Sequence, residues 1–496
     1  MKQKIFFLTL VAFSSQAYAD YRDDIGYTQL QTALGVAIPN GNGVAVTQVE
    51  AAIGATNTNV GAWIPDVSAT QFSSKSILDQ SLPVSNGISS HATGVGGLFY
   101  GNTSSMAPGV SDVNVYSASD WLINGFLKTA SSSQPLVSDS RVANHSWIGS
   151  MNTNENSVRV LKRVDWLVEE DEFIQVTAMN NGSSNRPLLG SAFNTIAVGR
   201  TDSNHAQGSL ALDSVYNAGR TRPDVVAPVG ATSSATPIVS AAVVMLIDQA
   251  HTAAQGAASV ISNGDSIYNG ERSEVVKAVM MAGADRMTQN TATGAQIMDY
   301  RADSGNQADN GLDRRFGAGQ LNVNSNYQIM AAGEQDSIQD GGSAIVDALG
   351  YDYDADFGGA QSSNNSASYL FDTTQTGNLQ LTASLVWNLD IEDTPGIGFN
   401  PDATLYNLDL LLFDVTDEGE SLLASSMSDI DNTENLWYFL ESGRDYRLQV
   451  QVADGSVFNW DYGLAWQVSA VPVPAAAWFF ISGLLGLFGA KRSARK

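Results

Sequence analysis

The chain has 496 residues, of which 43% are hydrophobic, enough for two folded domains with sizeable cores. Its formal net charge of −26 excludes a nucleic-acid-binding protein, because binding to phosphates requires a basic surface. The sequence contains no cysteine, which excludes both a disulfide framework and a thiol nucleophile. The composition suits an exported soluble protein, or one that gathers divalent cations.

The first residues have the three parts of a secretory signal peptide. A basic start and an apolar run over residues 5–13 precede small residues at Ala17 and Ala19. We therefore expect residues 1–19 to be removed, so that Asp20 begins the mature chain. Export without disulfides favours a bacterial protein.

Short β-branched runs separated by longer polar or helical intervals follow in the first two thirds of the chain. Runs of this kind predict buried parallel strands, and hence an α/β domain with a parallel sheet in three layers. The strand candidates lie at residues 43–46, 113–116, 173–176 and 195–198, and helices are predicted at about 235–254 and 273–281. We place this domain at residues 20–335.

The pattern changes after a polar, glycine-bearing linker at residues 334–343. Apolar and polar residues then alternate with period two, for example at residues 379–383, 408–413 and 446–450. Clusters of Gly, Asn and Asp separate these runs, which predicts an antiparallel β-sandwich over residues 336–470.

Within that region Asp352, Asp354 and Asp356 have the spacing that opens a calcium-binding loop. The glycine at the sixth position and the closing glutamate of such a loop are missing. A solvated acidic turn is therefore the favoured interpretation, and calcium is the one candidate cofactor.

Residues 471–496 have the form of a sorting tail: a Val-Pro-Val-Pro start, Trp478, an apolar stretch and four basic residues near the end. A segment of about 20 residues can just span a bilayer. The arrangement resembles the PEP-CTERM tail of Gram-negative bacteria, which implies an exosortase-type processing enzyme as partner and delivery to the cell surface or beyond. The alternative is a simple membrane anchor. Both place the body of the protein outside the cytoplasmic membrane, with membrane contact at least transiently through the tail.

A candidate nucleophile lies in the Thr-Ser-Ser-Ala-Thr-Pro run at residues 232–237, before a long apolar stretch. A serine at the start of a buried helix has backbone N–H groups beside its hydroxyl, where an oxyanion can form. The run resembles the nucleophile motif of subtilisin-like serine proteases (subtilases), which implies that Ser233 attacks the substrate. The sequence departs from that motif at Ala231, where the family has glycine, and at Ser234, where it has methionine.

A candidate base and its supporting carboxylate are found upstream. His91, one of four histidines, lies in a small-residue segment that resembles the subtilase base motif, with Thr93 also matching. The family then implies an acid at the end of the first core strand to orient the imidazole. Here that acid is Glu50, one methylene longer than the aspartate of the family, and Asp66 stays open as a substitute.

Residues 175–183 resemble the subtilase segment whose asparagine donates to the oxyanion. The resemblance nominates Asn180, with the adjacent Asn181 as the alternative. Met179 stands where the family has a glycine that lines the pocket for the residue before the scissile bond. We therefore expect a narrowed pocket that favours small side chains.

Residues 142–149 resemble the strand along which subtilases pair the substrate backbone. The resemblance implies that Ser146, Trp147 and Gly149 bind substrate by edge-strand pairing, which gives affinity with little sequence preference.

The order Glu50, His91, Asn180, Ser233 is that of subtilases, and implies an exported serine endopeptidase that hydrolyses protein or peptide substrates through an acyl-enzyme intermediate. No metal is expected in this site. The alternative is a subtilase-fold protein that has lost activity and serves as a surface or matrix binding module, as the departures from the family pattern suggest.

Overall fold

The computed structural model describes residues 20–183, 188–286, 304–373, 378–393 and 398–470. The predicted signal peptide at residues 1–19 and the predicted sorting tail at residues 471–496 lie outside the described residues.

The first domain is built around a seven-stranded parallel sheet, within the part of the chain just defined. Its strands are β1 (Val46–Glu50), β2 (Ser76–Asp79), β3 (Asp112–Ser117), β4 (Val142–His145), β5 (Ile174–Ala178), β6 (Ile196–Arg200) and β7 (Val225–Ala227). Their spatial order is β2-β3-β1-β4-β5-β6-β7. The predicted strands near residues 113, 173 and 195 are therefore present as β3, β5 and β6.

Helices cover both faces of this sheet. They are α1 (Tyr21–Asp24), α2 (Tyr27–Leu34), α3 (Ser90–Phe99), α4 (Ala118–Ile123), α5 (Asn154–Asp171), α6 (Thr232–Thr252), α7 (Ser273–Ala282) and α8 (Val323–Ala332). One apolar core joins the sheet to α6 and α7, and a second joins its other face to α4 and α5. Because helices cover both faces of the sheet, all five residues of β1, β5 and β6 are buried, the polar ones included.

The second domain consists of two antiparallel four-stranded sheets, preceded by a small hairpin of β8 (Ala258–Val260) and β9 (Ser266–Tyr268) in the first domain. Its strands are β10 (Leu349–Phe357), β11 (Ser366–Asp372), β12 (Leu379–Val386), β13 (Leu408–Asp414), β14 (Ser421–Ser426), β15 (Thr433–Leu440), β16 (Asp445–Val452) and β17 (Trp460–Ala470). The sheet orders are β10-β17-β12-β15 and β11-β16-β13-β14, with a shared apolar core between them. The predicted fold class, a three-layer α/β domain followed by an antiparallel β-sandwich, is confirmed.

The two domains meet where α7 packs on β12 and β17. The hydroxyl of Thr382 donates to the carbonyl of Ala282 at 2.7 Å, and the amide of Asn388 donates to the hydroxyl of Ser273 at 3.0 Å. A Cβ atom on Gly463 would lie 2.6 Å from the backbone nitrogen of Val275. The glycine therefore allows β17 to approach the backbone of the helix closely.

Candidate active site

The predicted site residues gather at the carboxyl edge of the parallel sheet. Glu50 is the last residue of β1, and Asn180 and Asn181 follow the end of β5. The loop after β7 leads into α6, which carries Ser233 in its first turn and packs against α3, which carries His91. Open parallel sheets place their binding sites at this edge, because the loops after the strands converge there.

Glu50 and His91 are in direct contact. The Nδ1 of His91 lies 2.8 Å from the Oε2 of Glu50, whose side chain is fully buried, whereas the imidazole is 40% exposed. The Glu50 hydrogen bond raises the pKa of His91, while burial raises the pKa of Glu50 against the opposing effects of its His91 and Gln48 hydrogen bonds. With a proton on Nδ1 donated to Glu50, the Nε2 of His91 is left as a proton acceptor.

Local capping fixes the position of His91 on α3. Ser89 precedes the helix in an extended conformation, and its hydroxyl accepts from the backbone N–H of Ala92 at 3.1 Å. This N-cap places His91 in the first turn, close to the end of β1.

Asp66 lies apart from this pair. Its carboxylate accepts from the backbone N–H and the hydroxyl of Ser68, at 3.1 and 2.6 Å. Its backbone N–H donates to Thr93 on α3 at 2.9 Å. Of the two acids that the sequence left open, the structure thus brings Glu50 to His91.

Ser233 lies in the first turn of α6, which begins at Thr232 rather than near residue 235. The first backbone N–H groups of a helix have no partner within it. The N–H of Thr232 donates to Asn181, whereas the N–H of Ser233 has no hydrogen-bond acceptor among the described residues. The free N–H therefore stands beside the Ser233 hydroxyl, as an oxyanion site requires.

The alanine at position 231, where the resemblance noted above implies a glycine, does not strain this turn. Ala231 has φ −148° and ψ 143°, an extended conformation that any residue adopts. The departure at Ala231 is therefore compatible with the geometry of the helix start.

The segment before α6 is anchored by a buried ion network. Asp224 accepts from Arg222 at 3.1 Å and from the backbone N–H of Ala197 at 2.7 Å, and Lys277 lies 3.5 Å from it. Both basic side chains are almost fully buried. Because a buried carboxylate needs such partners, the network fixes β7 and the loop that leads to Ser233.

The two asparagines make different contacts. The Oδ1 of Asn181 accepts from the backbone N–H of Thr232 at 3.0 Å and from Arg200 at 3.3 Å. The carbonyl of Asn180 accepts from the backbone N–H of Ala206 at 2.9 Å. It is therefore the side chain of Asn181 that reaches the turn carrying Ser233, and with its oxygen occupied the amide NH₂ is the group left to donate.

The segment expected to pair with substrate follows a central strand. β4 pairs with β1 on one side and β5 on the other, so Val142–His145 is not the edge strand that was expected. Substrate pairing is possible only beyond it, where Ser146 and Trp147 are buried and Gly149 is exposed.

Met179 is fully buried, in a small cluster with Ala197 and Ala206. A side chain without exposed surface does not touch a substrate in this conformation. It can affect the shape of a neighbouring pocket only by packing against the residues that line it.

The other three histidines have structural surroundings. His145 is buried between Trp121 and Trp147, and burial lowers its pKa to about 4. Burial lowers the pKa of His205 to about 4 as well, and its two nitrogens bond backbone groups of Arg200 and Arg315. His251 contacts Glu271 at 3.1 Å, near the edge where the parallel strands begin, whereas Ser233 is at the other end of α6.

The aspartates expected in a solvated turn lie instead on strand β10. Asp352 is 2% exposed and Asp354 is 8% exposed, so the predicted solvated turn is wrong. One oxygen from each of Glu334, Asp336 and Asp352 lies within 4.8 Å of the others. Such a cluster could hold a hard cation such as calcium, which prefers six to eight oxygen ligands, although three carboxylates supply only part of that shell.

One described helix, α6, is long and apolar enough to cross a membrane by length and composition. However, 78% of its most apolar window is buried inside the protein. It is the central core helix of the first domain.

The comparisons with known proteins gave matches among solved structures alone. No family model matches the sequence, and no curated protein matches it. The prenylagaramide maturation protease PagA has 14% identity and a TM-score of 0.36, with 61% of this chain and 97% of that chain covered. The self-cleaved protease domain of PatA has 14% identity and a TM-score of 0.36, with 60% and 99% covered.

Tripeptidyl peptidase 2 has 11% identity and a TM-score of 0.28, and the match covers 77% of this chain but 40% of that chain. All three are peptidases. Similarity at these TM-scores supports no conclusion about this chain, so its function has to be inferred from the geometry of the site itself.

Proposed function

We propose that this protein is an exported serine endopeptidase of the subtilisin-like class, with Ser233 as nucleophile, His91 as general base and Glu50 as the supporting acid. The observation that carries the proposal is the 2.8 Å contact of His91 with buried Glu50. His91 lies on α3, which packs against α6, the helix that carries Ser233 in its first turn. A buried carboxylate behind an exposed imidazole is the arrangement that activates a serine.

In the proposed reaction the Oγ of Ser233 attacks the peptide carbonyl while the Nε2 of His91 takes its proton. The ionised Glu50 stabilises the imidazolium that forms. The N–H of Ser233 and the amide of Asn181 donate to the oxyanion of the tetrahedral intermediate. When the intermediate collapses, the imidazolium gives its proton to the departing amine, and an acyl-enzyme remains for water to hydrolyse by the same steps.

The pH dependence of the reaction follows from the Glu50 contact. His91 accepts a proton only when it is neutral, so kcat/KM falls as the pH drops through its pKa. Because Glu50 raises that pKa above the usual 6.5, the acidic limb of the profile lies above pH 6.5.

The proposal includes export. Residues 1–19 have the pattern of a signal peptide, and residues 471–496 that of a PEP-CTERM tail read by an exosortase-type enzyme. The substrates would then be proteins or peptides outside the cytoplasmic membrane.

A fluorophosphonate probe tests the nucleophile directly, because it reacts with an activated serine and needs no knowledge of the substrate. We expect the wild-type protein to be labelled and Ser233→Ala to remain unlabelled. Ser234→Ala is the matched control, since it removes the neighbouring hydroxyl of the same helix turn and should label normally. Mass spectrometry of the same exported protein should find Asp20 at its N-terminus.

Equal labelling of wild type and Ser233→Ala would contradict the proposed nucleophile. Absence of labelling in the wild type would favour the inactive binding module. An exported protein that still begins at Met1 would contradict the signal peptide.

A further inference from the structure

A continuous chain of hydrogen bonds extends behind the Glu50–His91 pair. The hydroxyl of Tyr100 donates to the Oε1 of Gln48 at 2.5 Å, and the Nε2 of Gln48 donates to the Oε1 of Glu50 at 2.8 Å. The same Nε2 donates to the carbonyl of Ala92 at 2.9 Å. Gln48, Glu50 and Tyr100 are all fully buried, so these groups have no water to replace a lost partner.

The β-strand places Gln48 where this chain requires it. Side chains two residues apart on a strand point to the same face, so Gln48 and Glu50 share one face of β1. Thr47, which precedes Gln48, faces the other way and donates to Ser140 at 2.9 Å.

The helix α3 is shaped to admit the tyrosine hydroxyl. A Cβ atom on Gly96 would lie 2.6 Å from the hydroxyl of Tyr100 and 3.0 Å from the Oε1 of Gln48. Glycine is unfavourable inside a helix, yet here it leaves the space in which the two side chains meet.

We propose that Gln48 and Tyr100 are positioning residues for Glu50. The amide of Gln48 holds one carboxylate oxygen so that the other faces His91. Tyr100 fixes which end of that amide points at Glu50, because its hydroxyl donates to the amide oxygen and leaves the NH₂ for the carboxylate. The inference rests on the proposed function of the Glu50–His91 pair.

This arrangement accounts for a glutamate in a position where the resemblance implies an aspartate. A glutamate has one more side-chain torsion, and hence more orientations of its carboxylate to restrict. Two fixed donors, the Nδ1 of His91 and the Nε2 of Gln48, each hold one of its oxygens.

The chain of hydrogen bonds also favours the ionised form of Glu50. Burial raises the pKa of Glu50, and its hydrogen bonds with His91 and Gln48 lower it. Burial, together with the charge of Glu50, raises the pKa of Tyr100 well above its usual range, so the hydroxyl stays protonated and donates. His91 and Tyr100, one from each end of α3, are the described titratable groups that face Glu50. No charged side chain of β3, β4 or α6 contributes to its pKa.

Loss of the Gln48 donor therefore destabilises the charged carboxylate most when His91 is neutral. The protonated His91–Glu50 pair then keeps its proton to a higher pH, so the apparent pKa of His91 rises. The acidic limb of kcat/KM, where His91 must lose its proton to act, moves upward.

The test uses Gln48→Met, which keeps an unbranched side chain of similar length, and Tyr100→Phe, which removes one oxygen. For Gln48→Met we expect kcat/KM to fall about tenfold and the acidic limb to rise by about one pH unit, the size of a hydrogen bond to a charged group. Tyr100→Phe should act in the same direction by roughly threefold. The double variant should lose no more than Gln48→Met alone, because the hydroxyl acts through the amide.

Thr47→Val is the matched control. It also removes a buried hydrogen bond from β1, but on the opposite face, so it should leave the acidic limb in place. If the acidic limbs of Gln48→Met and Thr47→Val lie at the same pH, and the two variants lose equal amounts of kcat/KM, the positioning role is wrong. If Gln48→Met does not fold, Tyr100→Phe decides in the same way.

A second readout separates this inference from the proposed function. NMR of histidine-labelled full-length protein follows the titration of His91, which its loss in His91→Gln assigns. In Gln48→Met the apparent pKa of that signal should rise by about one unit, whether or not the protein cleaves peptides. An unchanged titration contradicts the inference; a shifted titration in a protein that fluorophosphonate does not label contradicts the proposed function alone.

Discussion

Two regions of this molecule bury carboxylates, and they do so with opposite consequences. At the edge of the parallel sheet, Glu50 is fully buried and accepts from Gln48 and His91, one donor for each oxygen. On β10, Asp352 and Asp354 are almost as deeply buried, but further acids surround them. The charges of Glu334, Asp336 and Asp354 raise the pKa of Asp352, and those of Asp340 and Asp356 raise the pKa of Asp354.

Burial raises the pKa of the acid in both regions, so burial alone does not define a functional carboxylate. The difference lies in the donors that converge on it. Two donors with fixed directions orient Glu50 toward an exposed imidazole. Asp352 and Asp354 each accept one hydrogen bond, from the hydroxyl of Tyr369 and the backbone N–H of Asp356, but the acids around them repel one another. Substitutions in the first region should therefore change catalysis, and substitutions in the second should change how stability depends on pH.

The largest expected effect is that of Glu50→Gln. Gln48 donates to the Oε1 position of residue 50, so an amide there would keep its oxygen on that side and turn its NH₂ toward His91. The imidazole would then accept through Nδ1 and carry its proton on Nε2, the wrong tautomer for a base. We expect kcat to fall about 10³–10⁴-fold with little change in stability, measured by peptide hydrolysis and thermal unfolding.

Glu274→Gln is the matched control for that loss. Glu274 is 2% exposed and lies at the domain junction, where burial raises its pKa well above the usual range. A glutamine there mimics the protonated form and should leave kcat unchanged. Retention of most activity in Glu50→Gln would remove Glu50 from the proposed triad.

The next effect concerns the oxyanion donor. Asn181→Ala should lower kcat about 10²–10³-fold with KM nearly constant, because the donor acts on the oxyanion rather than on the bound substrate. Asn180→Ala, one residue away, should stay within a few-fold of wild type. The reverse ranking of the two variants would restore the assignment that the sequence favoured.

Sequence reasoning succeeded where a pattern repeats over a whole element. The runs that became β3, β5 and β6 are largely buried, and those of β5 and β6 are buried on both faces, as short runs rich in β-branched residues predict. The alternating runs of the second domain identified a sandwich in the same way, since one face of each strand meets the shared core.

The sequence could not resolve features that depend on a single residue of register or on distant partners. Whether Asn180 or Asn181 reaches the nucleophile turn depends on how the chain leaves β5, and adjacent side chains there point in different directions. Tyr100 and Gln48 are 52 residues apart, so only the packing of α3 on the sheet brings them together. Aspartates at every second position fit a calcium loop and a strand face equally well, and the intervening Tyr351 and Tyr353 belong to the strand.

The smallest expected effect tests the acids on β10 through stability. Burial raises the pKa of Asp354 from 3.8 to about 7. The folded state therefore binds a proton that the unfolded state releases above pH 3.8, and stability is lost as the pH rises toward 7. Asp354→Asn removes this titration and keeps an oxygen to accept from the backbone N–H of Asp356. We expect its free energy of unfolding to exceed that of wild type by roughly 1–3 kcal/mol at pH 8, and to equal it near pH 4.

Thermal and denaturant unfolding in EDTA measure this difference without a contribution from adventitious calcium. Asp356→Asn is the control, because it removes an exposed acid of the same strand that only adds to the raised pKa of Asp354. Its gain in stability at pH 8 should therefore be much smaller than that of Asp354→Asn. A gain for Asp354→Asn that is the same at pH 4 and pH 8 would show that the amide packs better rather than that a charge has been removed. A loss at pH 8 would mean that the ionised Asp354 has a stabilising partner, and the contrast between the two carboxylate regions would then fail.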